Sequence, residues 1–180
     1  MRIIHKLTSK YRIIFIFCLS VLMLSAVFFL NSCAKKETIQ DGSVQVENFS
    51  LTLVDGKTWQ LDSYKNKPVM LAFMAPNCPY CKMSTGMTNK LFDDYSRKGL
   101  QVISIFSNSD LEEIKEFIEH FNIKNKVSYN SKEVVRKFKI RGYPYFFLLD
   151  REHKVQEYWI GYHPTYDEEI LAEINFVLQK

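Results

Sequence analysis

The sequence predicts one α/β domain: a central mixed β-sheet with helices on both faces and an added N-terminal β-hairpin. Three observations carry this expectation. The apolar run at residues 68–74 is continuous, as in a strand covered on both faces, and residues 100–106 form a second buried strand. After each of them the apolar residues fall at helical spacing. Near the end, two short segments, 145–149 and 155–160, lie close enough to pair as an antiparallel hairpin.

The elements follow in order. Residues 49–53 alternate, Asp55-Gly56 supplies a hairpin turn, and residues 58–61 alternate again, which gives the domain an antiparallel opening. The run at 68–74 is bounded by Pro68 and polar residues and belongs at the centre of the sheet. Met83, Met87, Leu91 and Tyr95 then recur every four residues as the apolar face of a helix, with Arg97-Lys98-Gly99 as its stop and Gly86 as a place to bend. A second buried strand occupies 100–106. Ser109 and Asp110 each have Glu three residues on, so either can form a capping box for a helix carrying Leu111, Ile114, Phe117, Ile118 and Phe121 on one face.

A short strand at 127–129 and a helix at 132–138 lead to Arg141-Gly142-Tyr143-Pro144, where Pro144 fixes the start of the strand at 145–149. After the second strand of that hairpin, a closing helix at 166–178 buries Ile170, Ile174, Val177 and Leu178. The order β-α-β-α-β-α-β-β-α requires a sheet with both parallel and antiparallel pairs. No internal repeat interrupts it.

With 180 residues, 47% of them apolar, the chain has material for one domain with a substantial core, which excludes a disordered tail and a multidomain assembly. Of its 24 basic residues, four (Arg2, Lys6, Lys10 and Arg12) precede Cys33, and all 20 acidic residues follow it. The body is therefore balanced, with no cationic surplus to argue for nucleic acid; a monomer is expected. The four cysteines, Cys18, Cys33, Cys78 and Cys81, are too few for a disulfide scaffold.

Residues 1–12 are basic and residues 13–30 are apolar, broken only by Cys18, Ser20 and Ser25, which is the pattern of an export signal. The apolar run is at the lower limit for a membrane span, so an uncleaved anchor is the alternative. Leu30-Asn31-Ser32-Cys33 resembles the bacterial lipobox, with Asn31 a less usual choice at its place. The resemblance implies a signal peptide over residues 1–32, a lipidated Cys33 opening a polar tether over 33–44, and a domain over 45–180. It places the domain in the bacterial cell envelope, outside the cytoplasm and facing the periplasm where the host has an outer membrane. There a thiol pair can be oxidised and stay so.

Cys78-Pro79-Tyr80-Cys81 falls where the central strand ends and a helix begins. A thiolate there meets unpaired backbone N–H groups and the positive end of the helix dipole, which lower its pKa and let it attack as an anion. The second cysteine, one turn further on, is placed to resolve the mixed disulfide. Half of a zinc site is the bland alternative, but His120 lies 39 residues beyond Cys81. A structural disulfide would staple only a single helical turn.

In combination, several stretches resemble the thioredoxin fold and, more closely, its TlpA/ResA-like thiol-disulfide oxidoreductases. They are Phe49-Ser50-Leu51 with Asp55-Gly56 and Leu61; residues 69–73 running into Cys78-Pro79-Tyr80-Cys81; Val102-Ile103-Ser104-Ile105; and Ile140-Arg141-Gly142-Tyr143-Pro144 with Phe147-Leu148-Leu149-Asp150. The resemblance implies a cis Tyr143–Pro144 bond facing the cysteines and a Tyr143 backbone edge that pairs with an extended substrate. It makes Cys78 the nucleophile and Cys81 the resolving cysteine, with Pro144, Tyr143, Tyr80 and Pro79 lining the substrate groove. The cysteine pair is then its own redox centre, with no further cofactor. The implied partners are exported client proteins with thiols or disulfides, an upstream membrane electron donor or acceptor, and the membrane itself through the lipid anchor.

Three departures stand out. Ala72 occupies the place where thioredoxins carry a buried Asp, and Ser84 the place where ResA-like members often carry Glu. Without either acid, the base that deprotonates Cys81 is unnamed. Tyr143 replaces the smaller residue usual before the cis-proline, and its ring is expected to narrow the groove. The missing acids favour a disulfide oxidase or isomerase as the alternative enzyme. A copper- or haem-assembly chaperone that holds its metal or client at Cys78 and Cys81 is the alternative outside enzymes; Met70, Met74, Met83 and Met87 invite a copper reading with that pair, against their ordinary use as core filler. Tyr80, Tyr145 and Tyr162 are candidates for an aromatic rim, and His163 is read as a solvated loop histidine.

Overall fold

The computed structural model describes residues 44–107 and 110–180. The proposed leader (1–32), Cys33, the tether up to residue 43 and Ser109 lie outside the described residues. Among the described residues, no helix is long and apolar enough to cross a membrane.

The chain runs through β1 (Ser50–Leu53), β2 (Thr58–Gln60), β3 (Val69–Met74), α1 (Pro79–Tyr95), β4 (Gln101–Phe106) and α2 (Leu111–His120). It continues with β5 (Lys126–Tyr129), α3 (Lys132–Lys137), β6 (Tyr145–Leu149), β7 (Val155–Ile160) and α4 (Tyr166–Gln179). The strands form one sheet in the order β2-β1-β5-β4-β3-β6-β7. β3, β4 and β5 are parallel, while β1 on β5 and β6 on β3 are antiparallel, so the expected mixed sheet is present. Both expected hairpins are also present, β1 with β2 and β6 with β7.

The period-2 alternation of β3 sorts its side chains between two cores. Met70, Ala72 and Met74 face one way with Val102, Phe146 and Leu148, under α1, α2 and α4. Val69, Leu71 and Phe73 face the other way with Ile103, Ile105, Phe147 and Leu149, under α3 and the β1–β2 hairpin. Every residue of β3 is buried, which explains why its sequence is apolar without alternation. Helices cover both faces as expected, but unequally: among the described residues the short α3 is the one α-helix on its side, and a 3-10 turn over Leu61–Tyr64 and the added hairpin supply the remaining cover.

Local signals set the helix ends. The carboxylate of Asp110 accepts the backbone N–H of Glu112 at 2.8 Å and caps α2. Gly99, at φ 109°, ends the 3-10 turn over Ser96–Lys98 that follows α1, a conformation that glycine adopts without a Cβ clash. Two details differ from the sequence reading. Met83 is 53% exposed rather than part of the buried stripe, because α1 buries its Ser84, Thr85 and Thr88 side instead. α1 also runs as one helix through Gly86.

Candidate active site

β3 ends at Met74, and three residues later the chain enters α1 with Cys78 as its N-cap and Pro79 as the first helical residue. Proline fits there because its missing N–H would have had no partner in the first turn. The turn is closed by the backbone N–H of Cys78 donating to the Ala75 carbonyl at 3.2 Å. The Cys78 sulfur in turn accepts the Cys81 backbone N–H at 3.2 Å, the bond expected of a capping group at an open helix end.

The two sulfurs meet different surroundings. Cys78 is half-buried, while Cys81 is fully buried within the core beneath α1, and both are free thiols. Burial pushes the Cys81 thiol well above the ordinary cysteine range, and the contact with Cys78 adds to this. The Ala75 backbone N–H, 3.5 Å from the Cys81 sulfur, works in the opposite direction and does not offset the burial.

Facing the cysteine turn, the Tyr143–Pro144 peptide bond is cis. The Cys78 thiol donates to the Tyr143 carbonyl at 3.4 Å, which brings the loop before β6 onto the first cysteine. The backbone N–H of Gly161 donates to the Pro144 carbonyl at 2.8 Å and ties that loop to the end of β7. Strand β3 lies between β4 and β6, so the cysteine turn and the proline loop emerge from neighbouring strands.

This geometry is a dithiol at a helix start facing a cis-proline, and residues 43–158 match the AhpC/TSA family. The chain belongs to the AhpC/TSA family. This AhpC/TSA protein is similar to the thiol-disulfide oxidoreductase ResA of Bacillus cereus, with 28% identity over 176 residues, covering 96% of this chain and 98% of the relative. It is also similar to the thioredoxin-like protein YneN of Bacillus subtilis, with 27% identity over 131 residues, covering 71% and 76% of the two chains. Among solved structures, a Chlorobium tepidum protein described as thiol:disulfide interchange protein DsbE superposes with a TM-score of 0.72 at 24% identity, over 77% of this chain and 98% of that one. A thioredoxin-family thiol:disulfide interchange protein from Chlorobium tepidum TLS gives 0.69 at 22% identity, over 76% and 97%. The protein is a TlpA/ResA-like thiol-disulfide oxidoreductase with a thioredoxin-like fold.

Within this AhpC/TSA site, the residues singled out from the sequence divide clearly. Cys78, Cys81, Tyr143 and Pro144 come together, with Pro79 and Tyr80 exposed at the rim and Tyr80 56% accessible. The aromatic rim does not extend further: Tyr145 and Tyr162 are 7% and 9% exposed, because Tyr145 packs in the core beneath α3 and the Tyr162 hydroxyl is turned onto Asp167 at 2.9 Å. Met70, Met74 and Met87 are core residues. His163 is exposed and bonded to Thr165, and His120 is exposed against Phe121. Among the described residues, no group of three or more His, Cys, Asp or Glu is placed to hold a metal ion.

Ala72 and Ser84 are both fully buried, and the Ser84 hydroxyl donates to the Cys81 carbonyl at 2.9 Å, so neither position supplies a carboxylate. Three contributors to the site were not foreseen. Ser107 meets the Tyr143 hydroxyl at 2.7 Å, and Asn77, directly before Cys78, donates to Glu113 of α2 at 2.5 Å. Each bond joins residues 36 apart in the chain, and no local pattern announces such a pair.

Proposed function

We propose that this thiol-disulfide oxidoreductase is held at a membrane by a lipid on Cys33 and exchanges dithiols for disulfides with exported client proteins outside the cytoplasm. Cys78 is the nucleophile and Cys81 the resolving cysteine. The observation that carries this assignment is the contrast between the sulfurs: Cys78 is reachable and receives a backbone N–H, whereas Cys81 is sealed and holds its proton.

In the reducing direction, the Cys78 thiolate attacks one sulfur of a client disulfide. The client S–S bond breaks as the Cys78–client bond forms, and the leaving thiolate takes up a proton. Cys81 then loses its proton and attacks the Cys78 sulfur, closing the Cys78–Cys81 disulfide and releasing the second client thiol. Two electrons pass to the client, and a membrane electron donor returns two electrons and two protons to the pair. The backbone edge at Tyr143 and Pro144 holds an extended client segment across the sulfur, with Pro79 and Tyr80 flanking it. The pair itself is the redox centre.

The reverse direction, oxidation of client dithiols, is favoured by Ala72 and Ser84, which leave Cys81 without a carboxylate at either position. Trapping tests the assignment. Full-length Cys81→Ser, expressed in the native host, should accumulate mixed disulfides with exported proteins, and Cys78→Ser combined with it should remove them. Adducts that survive loss of Cys78 would overturn the roles of the two cysteines. Clients confined to the cytoplasm would overturn the location.

A further inference from the structure

We propose that Ser107 is a positioning residue for Cys78, acting through the side chain of Tyr143. This deepens the function proposed above and rests on Cys78 being the nucleophile. Tyr143 spans the gap with a polar group at each end. Its hydroxyl is 2.7 Å from the Ser107 hydroxyl, just past the end of β4, and its carbonyl accepts the Cys78 thiol at 3.4 Å. Its ring packs against the margins of both cores, so its course across the sheet end is fixed by apolar contact on either side. The hydroxyl pair closes the far end, and Ser107 itself is only 8% exposed.

A carbonyl that accepts an S–H bond favours the thiol, because the thiolate has no proton to donate and is repelled by the oxygen. Holding that carbonyl against the sulfur therefore restrains Cys78 until something else engages it. The same carbonyl belongs to the backbone edge offered to a client strand. A client N–H that takes it removes the acceptor from Cys78 at the moment the proton has to leave. Without the Ser107 hydroxyl, the Tyr143 phenol loses a partner in a partly buried site, and the ring and its carbonyl gain freedom. The titratable groups next to Cys78 are Tyr80, Cys81 and Lys82 in the first turn of α1 and Tyr143 itself, with Glu113 of α2 bonded to Asn77 of the cysteine turn.

The test is alkylation of Cys78 against pH in the reduced full chain, for the wild type, Ser107→Ala, Tyr143→Phe, the double variant and Ser107→Thr. Both single variants should move the midpoint down equally, giving about threefold faster alkylation at pH 7, the scale of one weak hydrogen bond. The double variant should add nothing further, and Ser107→Thr should restore the wild-type profile. The KM for a disulfide-bonded peptide should rise in the same variants. An unmoved profile in folded variants, additive shifts, or a lower melting temperature alone would overturn the inference. A Cys78→Ser control separates it from the parent reading: alkylation and exchange that persist there would instead overturn Cys78 as the nucleophile.

Discussion

On one face of the sheet, Phe49, Phe73, Phe138 and Phe147 meet ring to ring at centroid distances between 5.1 and 5.9 Å beneath α3 and the N-terminal hairpin. On the other face, α1 brings Cys81 and the buried hydroxyls of Ser84, Thr85 and Thr88 against the same strands. The three hydroxyls each bond a carbonyl of their own helix at 2.8 to 3.0 Å, so this face tolerates polar groups without leaving them unpaired. The difference separates two tasks. The aromatic face holds the sheet in shape, and under the proposed function the cysteine face carries the chemistry, on a helix whose first turn is open.

The strongest way to break this division is Phe138→Ala. Phe138 is fully buried and touches the rings of Phe49, Phe73 and Phe147. Its loss should cost about 3–5 kcal/mol, since it removes a large apolar side chain and leaves a cavity among rigid rings. Chemical denaturation measures this, and Phe138→Leu should lose less. The Cys78 alkylation rate of the folded fraction should stay at the wild-type value. A rate that falls together with stability would show that the two faces are mechanically joined.

Much of this division was legible in the sequence, and its gaps have physical causes. Continuous apolar strands and a turn at Asp55-Gly56 are local, so the sheet and both hairpins could be read directly. Cys78 and Cys81 were also readable, because position at a helix start is a local property. The face on which a side chain lands was harder. Tyr145 sits in a strand buried throughout, where burial carries no period, and Met83 kept helical spacing on a helix that buries small hydroxyl residues instead. The contacts of Ser107 with Tyr143 and Asn77 with Glu113 are products of tertiary folding.

An intermediate effect follows from Cys81. In the unfolded chain its thiol ionises near the ordinary cysteine value of about 8.5, whereas burial in the fold holds the proton to much higher pH. Above that ordinary value the unfolded state releases a proton that the folded state keeps. Stability of the reduced protein should therefore fall with rising pH, by about 1.4 kcal/mol per unit. The oxidised protein has no Cys81 thiol to titrate and should lack this slope. Tyr162, pushed up to about 12 by burial and its bond to Asp167, is present in both forms and contributes its own loss only above the ordinary tyrosine value near 10. Denaturation of both forms between about pH 9 and 10 isolates the cysteine contribution. Equal slopes would show that Cys81 is not the sealed thiol of this face.

The smallest effect concerns the outer side of α1. Gly86 is exposed within the helix, and a Cβ added there would meet nothing within 4 Å. Glycine in an exposed helix interior is less favourable than alanine, mainly because the unfolded chain loses more backbone freedom on ordering it. Gly86→Ala should therefore raise stability by about 0.5–1 kcal/mol. The helix already runs unbroken through this position, so stiffening it should leave disulfide exchange unchanged. A stabilised variant with slower exchange would show that α1 bends at Gly86 during turnover, and that the cysteine face depends on motion as well as on an open first turn.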